Sequence, residues 1–197
     1  NTVIDALKFT IKKINSDNKL KSSLIDNIKE SGFENLDTRF ILVTGHRREN
    51  FGDGLLNICK AIKKIAINNP KINILYPIHL NPNVQKIVIK HLSGIDNIKL
   101  TRPFQYQEFI LIMSKSFIIL TDSGGIQEEA PAFGKPVLVM REETERPEGL
   151  KAGTVKLVGS SFENIVNEVQ VLLDNKIEHK KMSESNNPYG DGFASKK

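Results

Sequence analysis

The sequence has no tryptophan, a single cysteine, and no uninterrupted apolar run near the ~18 residues that a membrane-spanning helix requires. With Cys59 alone, no intrachain disulfide can form. That excludes a disulfide scaffold, fits a reducing compartment and predicts a cytoplasmic protein. Internal repeats and low-complexity linkers are also missing, which excludes solenoids and collagen-like chains. No run of basic residues occurs, and no basic stretch is interleaved with aromatics. The net charge of +5 therefore does not read as a nucleic-acid footprint. The four histidines are scattered and Cys59 falls on an apolar helical stripe. No metal-ligand spacing results, and no cofactor is expected.

What is present is a chain of 197 residues with 39% hydrophobic and 26% charged residues, enough for one sizeable core. Lysine, isoleucine and asparagine supply 64 of the residues, so most of the positive charge is compositional background spread over solvated helix faces. The six arginines are distributed differently. Arg47, Arg48, Arg102, Arg141 and Arg146 each follow a predicted strand, and only Arg39 precedes one. The chain opens on Asn1 rather than Met, which points to a piece of a longer polypeptide.

Six short, β-branched apolar runs read as strands covered on both faces: 40–44, 72–78, 98–101, 117–121, 136–140 and 154–158. Helical spacing separates them. Leu55, Ile58, Cys59, Ile62, Ile65 and Ala66 make one apolar stripe, and Val84, Ile87, Val88 and His91 a second. Phe109, Ile112 and Met113 make a third, and Ile165, Val169 and Leu172 a fourth. Residues 3–14 and 20–28 also read as helical. Alternation from about residue 40 to about residue 174 predicts an α/β fold, a Rossmann-like doubly wound parallel sheet. Residues 1–39 then form a helical lead-in. Residues 183–197, polar and turn-rich, look like a connection that needs something to pack against.

Ligands of such sheets bind beyond the carboxyl ends of the strands. The loops there carry Gly45-His46-Arg47-Arg48, His79-Leu80-Asn81-Pro82, Asp122-Ser123-Gly124-Gly125 and Arg141 to Glu148. The two glycines allow close approach of a ligand to the backbone, and the following helix offers free N–H groups to a phosphate. Ser123 can cap that helix or donate to a phosphate oxygen. Glu129, just over one turn further in, can accept from two vicinal ribose hydroxyls. The same residues also fit an ordinary strand-to-helix turn, and both readings stay open here. Neither a Gly-x-Gly-x-x-Gly fingerprint nor a Walker loop is present. His46 follows a strand directly, beside arginines suited to phosphate, and suits giving or sharing a proton. For His79 and Arg146 a functional and a bland reading are about even. His91 reads as a packing residue and His179 as an exposed one.

The strings Val43 to Gly52, Tyr76 to Val84, Leu120 to Ala130, Val137 to Pro147, Gly153 to Gly159 and Asn187 to Gly192 closely resemble the non-hydrolysing UDP-N-acetylglucosamine 2-epimerases. The resemblance covers essentially the whole chain, in order. It implies the C-terminal half of a GT-B arrangement, whose active site lies between two Rossmann-like domains. It further implies phosphate contacts at Ser123, Gly124 and Gly125, a ribose contact at Glu129, a nucleoside neighbour at Phe109 and a ligand contact at Arg146. His46 matches a histidine implicated in catalysis. Arg47 and His79 match candidates for an allosteric UDP-GlcNAc contact.

The implied reaction interconverts UDP-GlcNAc and UDP-ManNAc by eliminating UDP to a 2-acetamidoglucal and adding it back. The carboxylates handling the C2 proton belong to the N-terminal half, which is the expected partner. The full-length enzyme would be a homodimer, and this chain alone would bind UDP without epimerising. The alternatives are a nucleotide-sugar-binding module without chemistry and the donor domain of a GT-B glycosyltransferase. Binding to nucleic acid or membrane is not expected.

Overall fold

The computed structural model describes residues 1–34, 36–47, 50 and 52–196. Two helices lead in, α1 (Thr2–Ser16) and α2 (Asn18–Glu30). Asp17 divides them: it terminates α1, and its side chain accepts the Leu20 N–H to start α2. Strand β1 (Phe40–Thr44) follows, then α3 (Asp53–Asn68), β2 (Asn73–Pro77), α4 (Pro82–Leu92), β3 (Ile98–Thr101) and α5 (Tyr106–Lys115). The second half runs β4 (Ile118–Thr121), α6 (Gly124–Glu129) with a 3-10 turn at Ala130–Phe133, then β5 (Val137–Val139), α7 (Pro147–Ala152), β6 (Val155–Leu157), α8 (Phe162–Asp174) and α9 (Lys176–Ser183). The predicted strands are all found: β1 and β3 match their bounds, β2, β5 and β6 are shorter by a residue at each end, and β4 by one at its start.

The six strands form one parallel sheet in the order β3-β2-β1-β4-β5-β6. Successive residues point to opposite faces, so the four inner strands feed two cores, while the edge strands β3 and β6 feed one each and expose Lys99 and Lys156. Ile41, Val43, Ile74, Tyr76, Ile118 and Leu120 pack under α3, α4 and α8. Phe40, Leu42, Leu75, Ile119, Val137 and Val139 pack under α1, α2 and α5. This two-sided burial is why the strands read as continuous apolar runs. The stripe from Leu55 to Ala66 is buried along its whole length, with Cys59 fully inside.

Winding reverses between β1 and β4. β1 pairs with both, Val43 standing opposite Leu120 and Thr44 opposite Thr121. A crevice must open there, because the loops leaving the two strands turn to opposite faces. At its floor the hydroxyls of Thr44 and Thr121 lie 2.6 Å apart.

His179 departs from expectation. Its ring stacks on Phe117 at 3.9 Å, and Nε2 lies 3.0 Å from the Phe117 carbonyl oxygen. The Arg39 guanidinium sits 3.8 Å from the centroid of the same phenylalanine ring. The lysine-rich sequence around His179 concealed this, because α9 is too polar to show which face docks. The polar tail is also tied down. The Tyr189 hydroxyl donates to the Arg146 carbonyl and accepts from the Gly149 N–H, and Asp5 accepts from the backbone of Ala194 and Ser195.

Candidate functional site at the sheet switch point

The first wall of the crevice is the turn after β4. Thr121 Oγ1 accepts the Ser123 N–H at 3.0 Å, which aims the chain into α6. Ser123 occupies the N-cap position in an extended conformation, yet its side chain makes no capping bond among the described residues. The expected cap is therefore a backbone cap, and the hydroxyl stays available. Neither following glycine is required by the protein itself. A Cβ on Gly124 would come no closer than 3.7 Å to any atom, and one on Gly125 no closer than 3.9 Å. Neither adopts a positive φ. Space is left in front of a helix start, where N–H groups and the positive end of the dipole face outward.

The second wall is the loop after β1. A Cβ on Gly45 would lie 3.0 Å from the Tyr76 hydroxyl, so a larger residue would have to push that buried ring back by a few tenths of an ångström for the loop to settle on β2. The His46 ring, 40% exposed, stacks on His79 with centroids 5.1 Å apart and planes 16° from parallel. His79 Nδ1 accepts the Asn81 N–H at 3.1 Å. The two loops are joined by Asp122, 1% exposed, whose Oδ2 accepts the backbone N–H groups of His46 at 2.9 Å and Arg47 at 2.8 Å. Arg47 reaches across the gap to Gly124 with its Nη2. Arg48 lies outside the described residues.

Between the walls is a cavity of about 190 Å³ lined by His46, His79, Phe104, Phe109, Ser123 and Ile126, among others. A family model described as UDP-N-acetylglucosamine 2-epimerase matches residues 1–197. The chain belongs to that family. The UDP-N-acetylglucosamine 2-epimerase of Campylobacter jejuni is 58% identical over 197 residues, covering 100% of this chain and 51% of that relative. The crystal structure of UDP-GlcNAc 2-epimerase from Neisseria meningitidis bound to UDP-GlcNAc superposes with a TM-score of 0.93 at 46% identity, over 100% of this chain and 52% of that one. That of the Methanocaldococcus jannaschii enzyme in complex with UDP-GlcNAc and UDP gives a TM-score of 0.81 at 29% identity, over 98% and 50%. The chain spans about half the length of the curated relatives it matches.

In this epimerase-family domain the sequence-predicted residues divide into two groups. His46, His79, Phe109 and Ser123 share the crevice, and Gly124, Gly125 and Arg47 stand at its rim. Arg146 lies in an adjoining cleft of about 410 Å³ with Glu128, Glu145 and Tyr189. Its Nε donates to Glu128, so this arginine comes already paired. Two side chains of α6 hold its loop: Glu128 through that ion pair, and the fully buried Gln127, which accepts the Thr144 hydroxyl at 2.6 Å. Arg141, 8% exposed, does not face the crevice freely. It grips Glu145 with two bonds of 2.7 and 3.0 Å, and this pulls the Glu145 carboxyl down to about 2.

Glu129 sits half-buried at the end of α6. Burial, with the Glu128 carboxylate beside it, pushes its carboxyl up to about 7. Sequence reasoning assigned no role to Asp122, Gln127, Thr144 or Phe104. For Asp122 the signal was available: a carboxylate directly after an apolar strand and directly before the Ser-Gly-Gly turn. For Gln127 and Thr144 there was none, because their pairing crosses 17 residues of chain. A larger hollow of about 450 Å³ lies at the β6 edge between α7, α8 and α9, lined by none of the switch-point residues. Among the described residues, no group of three or more His, Cys, Asp or Glu converges as a metal site, and no helix is long and apolar enough to cross a membrane.

Proposed function

We propose that this chain is the UDP-sugar-binding, C-terminal half of an enzyme that interconverts UDP-GlcNAc and UDP-ManNAc. One observation carries the reading. In a chain of this family, a Ser-Gly-Gly helix start that the protein's own packing does not require faces His46 across the switch point. The diphosphate sits on Ser123, Gly124 and Gly125, with Arg47 above it and Arg146 as a further contact. Glu129 takes the ribose hydroxyls and Phe109 flanks the nucleoside.

The chemistry breaks an anomeric C–O bond next to a carbon whose proton is not acidic. A base of the other half removes the C2 proton, the electron pair forms the C1–C2 double bond, and the C–O pair departs with UDP. Return of a proton to the opposite face of C2 and re-formation of the C–O bond complete the inversion. This half stabilises the departing diphosphate, using helix N–H groups, arginine and a His46 donor positioned before the bond breaks. A cytoplasmic location and a homodimeric full-length enzyme belong to the same proposal, as does epimerisation only in combination with the N-terminal half.

The test mixes the chain with an N-terminal half of a family member in deuterated buffer and follows deuterium at C2 of UDP-GlcNAc. Exchange that needs both halves and is lost in His46→Ala supports the proposal. Absence of exchange with both halves folded and UDP bound overturns it in favour of a binding module.

A further inference from the structure

The two oxygens of Asp122 are used unequally. Oδ2 takes the N–H groups of His46 and Arg47 and lies 3.4 Å from Asn50 Nδ2. Oδ1 is buried and has no hydrogen-bond partner among the described residues. Among the described residues, the basic group that faces it is His46 Nδ1, at 3.4 Å. A buried carboxylate oxygen without a donor is costly, and a carboxylate can only accept. The partner that satisfies it without moving the backbone is a proton on Nδ1. The 3.4 Å separation is long for such a bond, as sites without ligand often are before the bound state tightens them.

We propose that Asp122 is a positioning residue for His46: it holds the ring in the Nδ1–H tautomer and confines proton exchange to Nε2. This rests on the function proposed above and deepens it. With Nδ1 committed, Nε2 is the nitrogen left to face a ligand. It carries a proton when the ring is charged and a lone pair when it is neutral, so the ring can donate to a departing diphosphate without turning. Asp122 also anchors the peptide N–H groups on both sides of the His46 Cα, so one carboxylate sets the ring's tautomer and the loop that carries it.

The arrangement makes a sharp prediction for Asp122→Asn. Two backbone N–H groups require the amide oxygen at the Oδ2 position. The amide NH₂ must then stand where Oδ1 was and donate to His46 Nδ1, which reverses the tautomer. The chain is labelled with ¹⁵N-histidine, and ring tautomers are read from long-range ¹H–¹⁵N correlations at about pH 8.5, where an ordinary imidazole is neutral. His46→Gln assigns the signal. His79, whose Nδ1 accepts from Asn81, is the internal reference and stays Nε2–H throughout.

Nδ1–H on His46 in the wild type and Nε2–H in Asp122→Asn support the proposal. Nε2–H in the wild type overturns it, as does a folded variant that keeps Nδ1–H. Should the variant not fold, the wild-type tautomer decides alone. None of these readouts needs turnover or UDP, so failure of the epimerase reading leaves this result standing, and the reverse also holds.

Discussion

The hydroxyl of Thr144 donates to Oε1 of Gln127 at 2.6 Å and accepts the Arg146 N–H at 3.0 Å, so one side chain fastens the loop after β5 to helix α6. Gln127 is fully buried, and its amide nitrogen is already given to the Ser123 carbonyl at 3.3 Å. Thr144→Val keeps the shape and strands the Gln127 oxygen. The expected cost is about 1–3 kcal/mol in urea denaturation, since a buried acceptor loses its donor. UDP affinity should fall as well, because Arg146 loses its anchor. Unchanged stability would show that the loop is held elsewhere.

Ser123 separates binding from stability. Its side chain makes no capping bond, so Ser123→Ala should leave the denaturation midpoint within about 0.5 kcal/mol, unlike a typical N-cap replacement near 1. In titration calorimetry the same variant should bind UDP about 3- to 10-fold more weakly, the loss of one hydroxyl contact to phosphate. A clear stability loss with unchanged UDP affinity would restore the plain turn reading.

Glu129 should make both stability and binding depend on pH. Its carboxyl is raised from 4.5 to about 7 in the folded chain, so the folded state holds the proton more tightly than the unfolded one. The stability that this group contributes is then fully present below about pH 4.5 and is lost as pH rises through about 7. Because the side chain is only half-buried, solvent screening keeps the loss below the roughly 3 kcal/mol of the full shift. Glu129→Gln should remove that decline. A ribose favours the ionised carboxylate as acceptor, so UDP binding at pH 6 should release protons. Calorimetry in buffers of different ionisation enthalpy measures this, and no release would contradict the ribose role.

His179 has the opposite sign. Burial against Phe117, with Arg39 and Lys135 nearby, holds its imidazole below the usual 6.5. The unfolded chain therefore takes up the proton first, and stability present above about pH 6.5 is lost as pH falls below it. His179→Phe keeps a ring on Phe117 and should flatten the acid side of the curve, measured as the denaturation midpoint between pH 7 and 5. If the two proteins lose stability in parallel, the stack does not govern the acid response.

The sheet was legible because the inner strands are buried on both faces and so appear as apolar runs between helical stripes, and the edge strands β3 and β6 are interrupted only by Lys99 and Lys156. The Ser-Gly-Gly turn and His46 were legible for a related reason: polar residues and glycines directly after such runs must lie at the carboxyl edge. His179 was misread as exposed. Its environment comes from Phe117 and Arg39, 62 and 140 positions away, and nothing in a lysine-rich helix announces an aromatic partner.

The sequence by itself determined the doubly wound fold, the edge where the polar loops gather and the residue types placed there, because these follow from local periodicity and from what glycine and arginine can do. Strand order was left to the tertiary structure, and with it the meeting of the β1 and β4 loops. Only that meeting turns Asp122 from one polar residue in a loop into the carboxylate that carries the His46 backbone and faces its ring, because a contact between residues 76 positions apart exists only once the sheet has closed them together.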